Sequence, residues 1–276
     1  MIEPNMADLP ANDALETAIQ VALVGGHSIL LIGPPGSGKT MIARRLAYCL
    51  PEMTPEERLD VARVFTDAGL WVREPGSALA PPDPLARRYR APHHTISSAG
   101  LAPGSGLRQS KRPCELQLAT HGVLFLDQVD EHPLRNLELL KTARGRTDVL
   151  LVGAMNPCPC GWAGTGNPIC ECSSLAITRH LDRVFKTELF DLVINVPAQR
   201  TFPLDQGPRM AQTAVIRERV TAARARHRPD PDVLGGDPMP TTVLDRVAES
   251  IARLADFDYI QQHHREKALH LMGGAR

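Results

Sequence analysis

Three features are scarce in this sequence, and each scarcity argues against a class of protein. Aromatic residues make up only 4% of the chain, too few for the stacking platforms that bind single-stranded nucleic acid. No apolar run approaches the roughly 20 residues that a transmembrane helix needs. Neither sign of charge is in excess, because 31 Lys and Arg residues balance 31 Asp and Glu residues. This balance argues against a surface built throughout for nucleic acid and leaves room for a local basic face.

Cysteine is also sparse, and no leader is evident. The opening "MIEPNMADLP" lacks a basic segment followed by an apolar one, so we expect no signal peptide and a cytoplasmic location. Of the six cysteines, Cys49 and Cys114 are isolated and are expected to be buried as small apolar residues. Disulfides are disfavoured in a cytoplasmic protein, which leaves the four clustered cysteines to be explained otherwise.

Short apolar segments alternate with helical patterns along the first 200 residues. The apolar segments are continuous rather than alternating, which is typical of parallel strands covered on both faces. We therefore predict a three-layer α/β domain with a parallel sheet. The predicted strands are 27–33, 122–127, 148–156 and 190–197, and the predicted helices are 13–26, 39–50 and 54–69. Residues 74–113 are rich in Pro, Gly and Ser and are predicted to be an irregular insertion.

The pattern becomes all-helical after Pro203. Helical stretches are predicted over 208–228, 241–256 and 260–272, with a Pro- and Gly-rich interruption between the first two. We predict two units, an α/β nucleotide-binding domain at 1–203 and a small helical lid at 204–276.

One motif carries a specific chemistry. The segment "GPPGSGKT" matches the phosphate-binding pattern G-x-x-x-x-G-K-[ST] and lies between a predicted strand and a predicted helix. Its glycines let the backbone approach phosphates, and the helix N-terminus adds partial positive charge. The motif predicts ATP or GTP binding by Gly33, Pro34, Pro35, Gly36, Ser37, Gly38, Lys39 and Thr40, the last of which would ligate Mg²⁺.

Two later strands end in polar residues that suit the same site. Asp127 ends the segment "GVLFLD", where a carboxylate would hold Mg²⁺; the alternative is an aspartate that caps the following turn. Asn156 ends "LLVGAMN" and is predicted to sense the γ-phosphate or the attacking water. Asn-Pro also commonly begins a turn, so Asn156 is informative only in this context.

The four clustered cysteines form two Cys-x-Cys pairs. Cys158 and Cys160 are separated by nine residues from Cys170 and Cys172. Four thiolates in such a short span are able to close a tetrahedral zinc site, although the usual knuckle spacing is Cys-x₂-Cys. Reduced free thiols and redox chemistry are the alternatives.

Six segments together resemble the magnesium-chelatase-like AAA+ ATPases of the ComM/YifB type. The resemblance covers residues 8–228 and, more weakly, the final helices. It implies an AAA+ core with a helical lid, ATP bound between them, and a homo-oligomeric ring, a hexamer. It also implies ATP-driven work on DNA, or metal insertion as in the chelatases. The additional Lon-protease-like domain of such proteins is not expected here. The segments are "GGHSILLIGPPGSGKTMIARRL", "YRAPHHTISSAGL", "HGVLFLDQVDE", "GAMNPCPCGW", "CECS" and "AVIRERVTAARARHR".

The first departure from the family pattern concerns the catalytic glutamate. Such proteins have Leu-Asp-Glu where this chain has Gln128 after Asp127. An amide cannot accept the proton of the attacking water, and loss of general-base help lowers rates by about 10²–10⁴-fold. Glutamine is still able to orient a water. Asp130 or Glu131 would substitute if the turn bends back.

The other departures also concern hydrolysis. The arginine that would reach a neighbour's γ-phosphate is missing near Leu189; Arg179 or Arg183 would stand in, or would be solvated helix charges. The pore hairpin is reduced to the seven residues 142–148, and Arg246 is a weak candidate for the second sensor. The altered residues favour nucleotide binding over hydrolysis.

Two further groups have alternative interpretations. His93 and His94 would contact nucleotide, metal or a ring neighbour, or would form a hydrogen-bonded loop pair. The basic run 217–228 would contact DNA, or would be a solvated helix whose arginines spread over more than one face.

These observations lead to one expectation and two alternatives. We expect an ATP-binding protein that holds Mg²⁺ through Thr40 and Asp127 and hydrolyses ATP weakly. The first alternative is an active DNA-remodelling ATPase. The second is a zinc-stabilised interaction module with a vestigial nucleotide site.

Overall fold

A five-stranded parallel sheet organises the chain. The computed structural model describes residues 4–10, 12–70, 87–103, 113–144, 147–166, 169–198, 209–226, 242–257 and 259–273. The strand order is β2-β3-β4-β1-β5, and every neighbouring pair is parallel. The strands are β1 (Ile29–Ile32), β2 (Tyr89–Arg90), β3 (Val123–Leu126), β4 (Leu150–Met155) and β5 (Leu192–Asn195).

Ten α-helices surround the sheet in the described part of the chain. Local signals explain their starts: Asn12 caps α1 through the N–H of Leu15, and Thr54 forms a capping box at α3. None of the described helices has the length and apolarity needed to cross a membrane. The helices are α1 (Asp13–Gly25), α2 (Lys39–Cys49), α3 (Pro55–Asp67), α4 (Ser98–Leu101), α5 (Glu115–Leu118), α6 (Leu134–Arg144), α7 (Ser174–Phe185), α8 (Thr213–Ala225), α9 (Val243–Leu254) and α10 (Gln262–Leu271).

The two faces of the sheet bury alternate residues in different clusters. In β1, Ile29 and Leu31 pack with α1 and α2, whereas Leu30 and Ile32 pack on the opposite face with α6 and α7. This alternation produces two cores separated by the sheet. The predicted three-layer α/β architecture is therefore confirmed, and so are the four predicted strands and three predicted N-terminal helices.

Strand β2 was not predicted. Tyr89 and Arg90 pair in register with Val123 and Leu124, inside the region 74–113 predicted to be irregular. Two residues are too few to show a sequence period. The strand carries the loop that follows it, which contains His93 and His94, to the carboxyl edge of the sheet beside β3. Residues 74–86 and 104–112 of the same region lie outside the described residues.

The C-terminal helices share a core with the α/β unit. Ile216 and Val220 of α8 and Ile251 of α9 belong to the same buried cluster as Ile19 and Leu23 of α1. Helices α8 and α9 therefore lie on the α1 side of the sheet. The predicted boundary at 203/204 and the interruption between α8 and α9 lie outside the described residues.

Candidate nucleotide-binding site

The predicted phosphate loop lies at the carboxyl end of β1 and leads directly into α2. Gly38 precedes the first helical residue with φ of +91°, a left-handed conformation that favours glycine. At Gly33 a Cβ atom would lie 2.3 Å from the carbonyl oxygen of Val196. Glycine is therefore required at both positions, one for the turn and one for close contact with the chain after β5.

Lys39 is held at the centre of this loop. Its Nζ donates to the carbonyl oxygens of Gly33 and Pro34 at 2.6 and 2.9 Å, and lies 3.4 Å from Asn156 Oδ1. Burial lowers the pKa of Lys39, while the charges of Asp127 and Asp130 oppose that shift. The lysine is thus prepositioned beside the loop backbone and beside the residue predicted to sense a γ-phosphate.

Thr40 and Asp127 meet across the site. Thr40 Oγ1 donates to Asp127 Oδ2 at 3.1 Å, and the backbone N–H of Gln128 donates to Asp127 Oδ1 at 3.0 Å. A hydroxyl and a carboxylate are oxygen ligands of the kind that Mg²⁺ prefers. Both residues reach solvent, so the pair is accessible to a metal ion carried by a nucleotide.

The Ser37 hydroxyl indicates that a phosphate group fits the loop. Ser37 is 2% exposed, yet its Oγ has no hydrogen-bond partner among the described residues. Buried polar atoms are normally hydrogen-bonded, and an unpaired one marks a place for a partner from outside the chain. Ser37, the glycine backbone and the Lys39 ammonium together form a donor set that matches phosphate oxygens.

Position 128 lacks a carboxylate, but Asp130 provides one close by that faces the site. Gln128 is exposed and has left-handed backbone angles, φ 49° and ψ 53°. Asp130 lies in the following 3₁₀ turn, with Oδ2 3.9 Å from His180 Nε2, and the same nitrogen lies 3.0 Å from the carbonyl oxygen of Asn156. Burial raises the pKa of Asp130 above 3.8. Glu131, the other predicted substitute, is exposed and lies on the loop side of the turn.

The structure shows where the residues lie that concern the missing arginine, the one that would reach a neighbour's γ-phosphate. Leu189 is fully buried, so nothing at that position reaches a neighbouring molecule. Arg183 donates to the carbonyl oxygens of Asp130 and His132 at 2.7 and 3.0 Å, and therefore braces the turn after β3 in its own chain. Arg179 is exposed on α7.

Arg246, predicted as a weak second-sensor candidate, is not at this site. It lines a cavity formed by the residues that precede β1, β3 and β4. All strands run parallel, so this cavity lies at the amino edge of the sheet, opposite the phosphate loop at the carboxyl edge. The prediction for Arg246 is wrong because α9 packs beside α1 rather than over the loop.

His93 and His94 lie near the 3₁₀ turn that follows Asp127. Their rings are 4.1 Å apart, His93 Nδ1 lies 2.9 Å from Thr95 Oγ1, and His94 Nδ1 lies 3.5 Å from Glu131 Oε2. These contacts match the hydrogen-bonded loop pair, one of the two interpretations that the sequence allows.

Three arginines of the predicted basic run 217–228 contact other residues of the same chain. Arg217 donates to the carbonyl oxygen of Tyr48 at 2.8 Å, and Arg219 pairs with Glu16 at 3.4 Å. Arg226 pairs with Asp256 at 2.9 Å. The arginines are spread around α8, as the solvated-helix interpretation requires. The last two residues of the run, 227 and 228, lie outside the described residues.

The four clustered cysteines converge. Their Sγ atoms all lie within 4.8 Å of one another, with Cys158 Sγ 3.3 Å from Cys160 Sγ and 3.9 Å from Cys170 Sγ. Cys172 completes the cluster, and all four thiols are free. Sulfur atoms around a tetrahedral Zn²⁺ would lie about 3.8 Å apart, given Zn–S bonds of about 2.3 Å. The donor set therefore fits a zinc ion.

The cysteine cluster is in contact with the phosphate loop. Gly161, which follows Cys160, has φ of +90°, and a Cβ there would lie 2.9 Å from Pro35 Cδ and 3.6 Å from Asn156 Nδ2. The cysteine loop thus packs on both the phosphate loop and the predicted sensor. The sequence did not predict this contact, because it joins two distant segments of the chain. It also did not predict the contacts of His180 with Asn156 and Asp130, because a lone histidine on a helix carries no recognisable signal.

The fold and this site define a class of protein. A parallel sheet in this order, with a glycine-rich loop after β1 and an aspartate at the end of β3, the next strand but one, is that of a P-loop AAA+ core. A family model described as "Magnesium chelatase, subunit ChlI" matches residues 5–202. The chain belongs to this family, as its resemblance to the ComM/YifB type predicted.

Two relatives show how much of a longer protein the chain covers. Competence protein ComM of Haemophilus influenzae is 33% identical over 245 residues, which span 80% of this chain and 44% of that protein. The uncharacterized protein YifB of Escherichia coli is 30% identical over 250 residues, 82% of this chain and 46% of that protein. The chain therefore spans less than half the length of these relatives.

Proposed function

We propose that this protein binds Mg·ATP and hydrolyses it weakly. The observation that carries the proposal is a contrast within one site. Lys39, Ser37 and the Thr40–Asp127 pair, which would hold phosphate and metal, lie together at the carboxyl edge of the sheet. The position that should carry the general base is Gln128, an amide.

Each residue has a separate task in this proposal. Backbone N–H groups of the loop and the Ser37 hydroxyl donate to phosphate oxygens, and Lys39 exchanges its carbonyl partners for the β- and γ-phosphates. Thr40 and Asp127 hold the Mg²⁺ ion, which neutralises phosphate charge when bound. Asn156, 3.4 Å from Lys39 Nζ, reports the γ-phosphate to the loop that follows it.

ATP acts mainly as a conformational ligand in such a protein. A ligand that binds the folded state stabilises it by an amount that grows with the logarithm of its concentration over its Kd. Two consequences are proposed from the family resemblance, namely ordering of the loops around the site and assembly into a homo-oligomeric ring, a hexamer. Mass measurement with and without Mg·ATP tests the ring, and a monomer under both conditions would contradict it.

Two alternative functions are distinguished from this proposal by measuring the thermal shift with ATP and the phosphate release with and without DNA. An active DNA-remodelling ATPase, suggested by similarity to a competence protein, predicts fast phosphate release that DNA stimulates. A zinc-stabilised module with a vestigial site predicts no thermal shift with ATP. We expect a clear thermal shift and slow phosphate release that DNA does not change. Fast release by the wild type would overturn the proposal.

Asp130 offers a test of the residual turnover. We expect Asp130→Asn to lower the remaining phosphate release by about tenfold, because Asp130 is the carboxylate whose charge acts on Lys39 besides Asp127. A base acts when deprotonated, so wild-type turnover should fall as pH falls through the raised pKa of Asp130, above 3.8. ATP affinity should not decrease, since a negative charge is removed near the phosphates.

Glu131→Gln provides the matched control for Asp130→Asn. Glu131 belongs to the same 3₁₀ turn, but its carboxylate is exposed and lies 3.5 Å from His94 Nδ1. We expect turnover and ATP affinity of this variant to equal those of the wild type. Equal turnover in both variants would show that Asp130 takes no part in hydrolysis.

We further infer that the cysteine cluster holds one structural Zn²⁺. Burial alone would raise the pKa of Cys158, but hydrogen bonds from Cys160 and from the N–H of Ala163 outweigh it and lower the pKa to about 7. Cys158 therefore readily supplies one of the thiolates that zinc requires, whereas the pKa values of Cys170 and Cys172, lowered by backbone hydrogen bonds, are on balance raised by the neighbouring thiols, and zinc would displace their protons. Zinc would fix the loop that contacts Pro35.

Removal of this zinc should loosen the nucleotide site. We expect Cys170→Ser to reduce zinc content and lower the melting temperature. ATP binding should weaken several-fold, because the loop that contains Gly161 would no longer be fixed against Pro35. Elemental analysis and thermal melts provide the readouts. Cys114→Ala, which alters a buried thiol on another element, should keep one zinc per chain. Wild-type protein that contains no zinc after expression in zinc-supplemented medium would contradict the inference.

A further inference from the structure

The cavity that Arg246 lines is at the amino edge of the sheet, opposite the phosphate loop. It has a volume of about 650 Å³, within the range of about 300–1,000 Å³ typical of small-molecule sites. Its walls include residues 25–28 before β1, Gly122 before β3 and residues 147–149 before β4. Arg224 of α8 and Arg246 of α9 also line it. We call it the amino-edge cavity.

Four arginines converge on the amino-edge cavity, and two of them are neutralised. Arg87 pairs with Glu57 at 2.9 Å, and Arg144 pairs with Asp191 at 2.8 Å. These two arginines are fixed parts of the wall, and their charges are balanced by carboxylates that also line the cavity.

The other two arginines have no carboxylate partner within the described chain. Arg224 Nε donates to the carbonyl oxygen of Leu23 at 2.9 Å, which satisfies a donor but does not neutralise the charge. Burial lowers the pKa of Arg224 and the like charge of Arg87 adds to this effect, while the charges of Glu57 and Asp148 oppose it. Arg246 is exposed, and among the described residues its guanidinium has neither an ion pair nor a hydrogen bond. For the partly buried Arg224, desolvated positive charge without an ion pair is unfavourable unless an anion completes it.

Two buried polar atoms in the same wall also lack partners. Thr147 Oγ1 and His121 Nδ1 have no hydrogen-bond partner among the described residues. The His121 side chain is 8% exposed, and its Nδ1 lies 3.7 Å from Glu57 Oε1 and 3.9 Å from Asp148 Oδ2. The wall near His121 therefore offers the Asp148 carboxylate and unused hydrogen-bonding capacity, whereas Arg224 and Arg246 on the α8–α9 wall have no carboxylate within ion-pair distance among the described residues.

We propose that the amino-edge cavity binds a small phosphomonoester, with its phosphate against Arg224 and Arg246. A phosphate dianion matches the two arginines that lack an ion pair, and the guanidinium fork matches phosphate oxygens. Thr147, whose hydroxyl has no partner among the described residues, offers a hydrogen bond to the uncharged end of the molecule. This site is separate from the phosphate loop, so its occupancy does not depend on ATP binding.

The test uses ribose 5-phosphate and protein that carries Lys39→Ala, so that the phosphate loop cannot contribute. Calorimetry should show one ribose 5-phosphate per chain, and ribose should not bind. We expect Arg246→Gln, placed in the same background, to weaken binding at least about tenfold. Because Arg246 is exposed, this variant should fold normally, and Arg224→Gln provides a second variant with the same expected loss.

Arg219→Gln is the matched control, since it removes one positive charge from the same helix as Arg224 outside the cavity. Inorganic phosphate that binds weakly and depends on Arg246 would support recognition of the phosphate group. No binding of ribose 5-phosphate to the Lys39→Ala protein would overturn the proposal. So would equal affinities of the Arg246→Gln and Arg219→Gln proteins, or binding of a 5′-phosphorylated oligonucleotide alone.

Discussion

Lys39→Ala should weaken ATP binding by about 100-fold. Lys39 is 9% exposed, and its ammonium lies beside the loop backbone, 2.6 Å from the carbonyl oxygen of Gly33, so it is prepositioned for phosphate oxygens. Hydrogen bonds to charged groups contribute about 1.5–3 kcal/mol each, enough for an effect of this size. Calorimetric titration with Mg·ATP gives the affinity directly.

Lys141→Ala is the control for this variant. Lys141 is a half-exposed lysine on α6 that pairs with Glu188 at 2.8 Å, away from the loop. Its removal should leave ATP affinity unchanged. Thermal melts of both variants without nucleotide establish that they are folded. Equal ATP affinity in Lys39→Ala and wild-type protein would refute the assignment of the phosphate loop.

Gln128→Glu should raise steady-state phosphate release by about 100-fold or more. The substitution keeps the size of the side chain and supplies a carboxylate that accepts the proton of the attacking water, an effect of about 10²–10⁴-fold. The backbone of Gln128, with φ of 49°, and its exposed side chain are not altered by an isosteric change. Affinity for ATP should change little, because Lys39, Thr40 and Asp127 remain.

Gln212→Glu tests whether added charge alone has an effect. Gln212 is an exposed residue at the start of α8, where a carboxylate is favourable to the helix. We expect its phosphate release to equal that of the wild type. If Gln128→Glu releases phosphate no faster than the wild type, the proposed weak hydrolysis would have another cause, such as the lack of an arginine near the buried Leu189.

Much of the fold could be predicted because it depends on local patterns. Continuous apolar segments indicated four of the five strands, and the predicted helix 54–69 matches α3, which has Pro55 in its first turn. The phosphate loop was predicted because its glycines and lysine act through one contiguous segment. Strand β2 was missed because two residues leave no period, and its pairing with β3 is a long-range contact.

What the sequence could not provide are contacts between distant segments. Nothing in the order of residues indicates that Gly161 packs on Pro35 or that Asp130 faces His180. Arg246 was a weak candidate for the second sensor because it lies in the segment "PTTVLDR", where the family pattern has an arginine in the lid. Packing of α9 on α1 places it instead at the amino edge of the sheet.

The central claim is that this site retains ATP and cleaves it slowly. The most direct measurement mixes the purified protein with equimolar Mg·ATP, removes free nucleotide after an hour, and identifies the nucleotide that remains bound. The account predicts one intact ATP per chain in the wild type and ADP with Gln128→Glu. Wild-type protein that retains no nucleotide, or that holds only ADP, would contradict it.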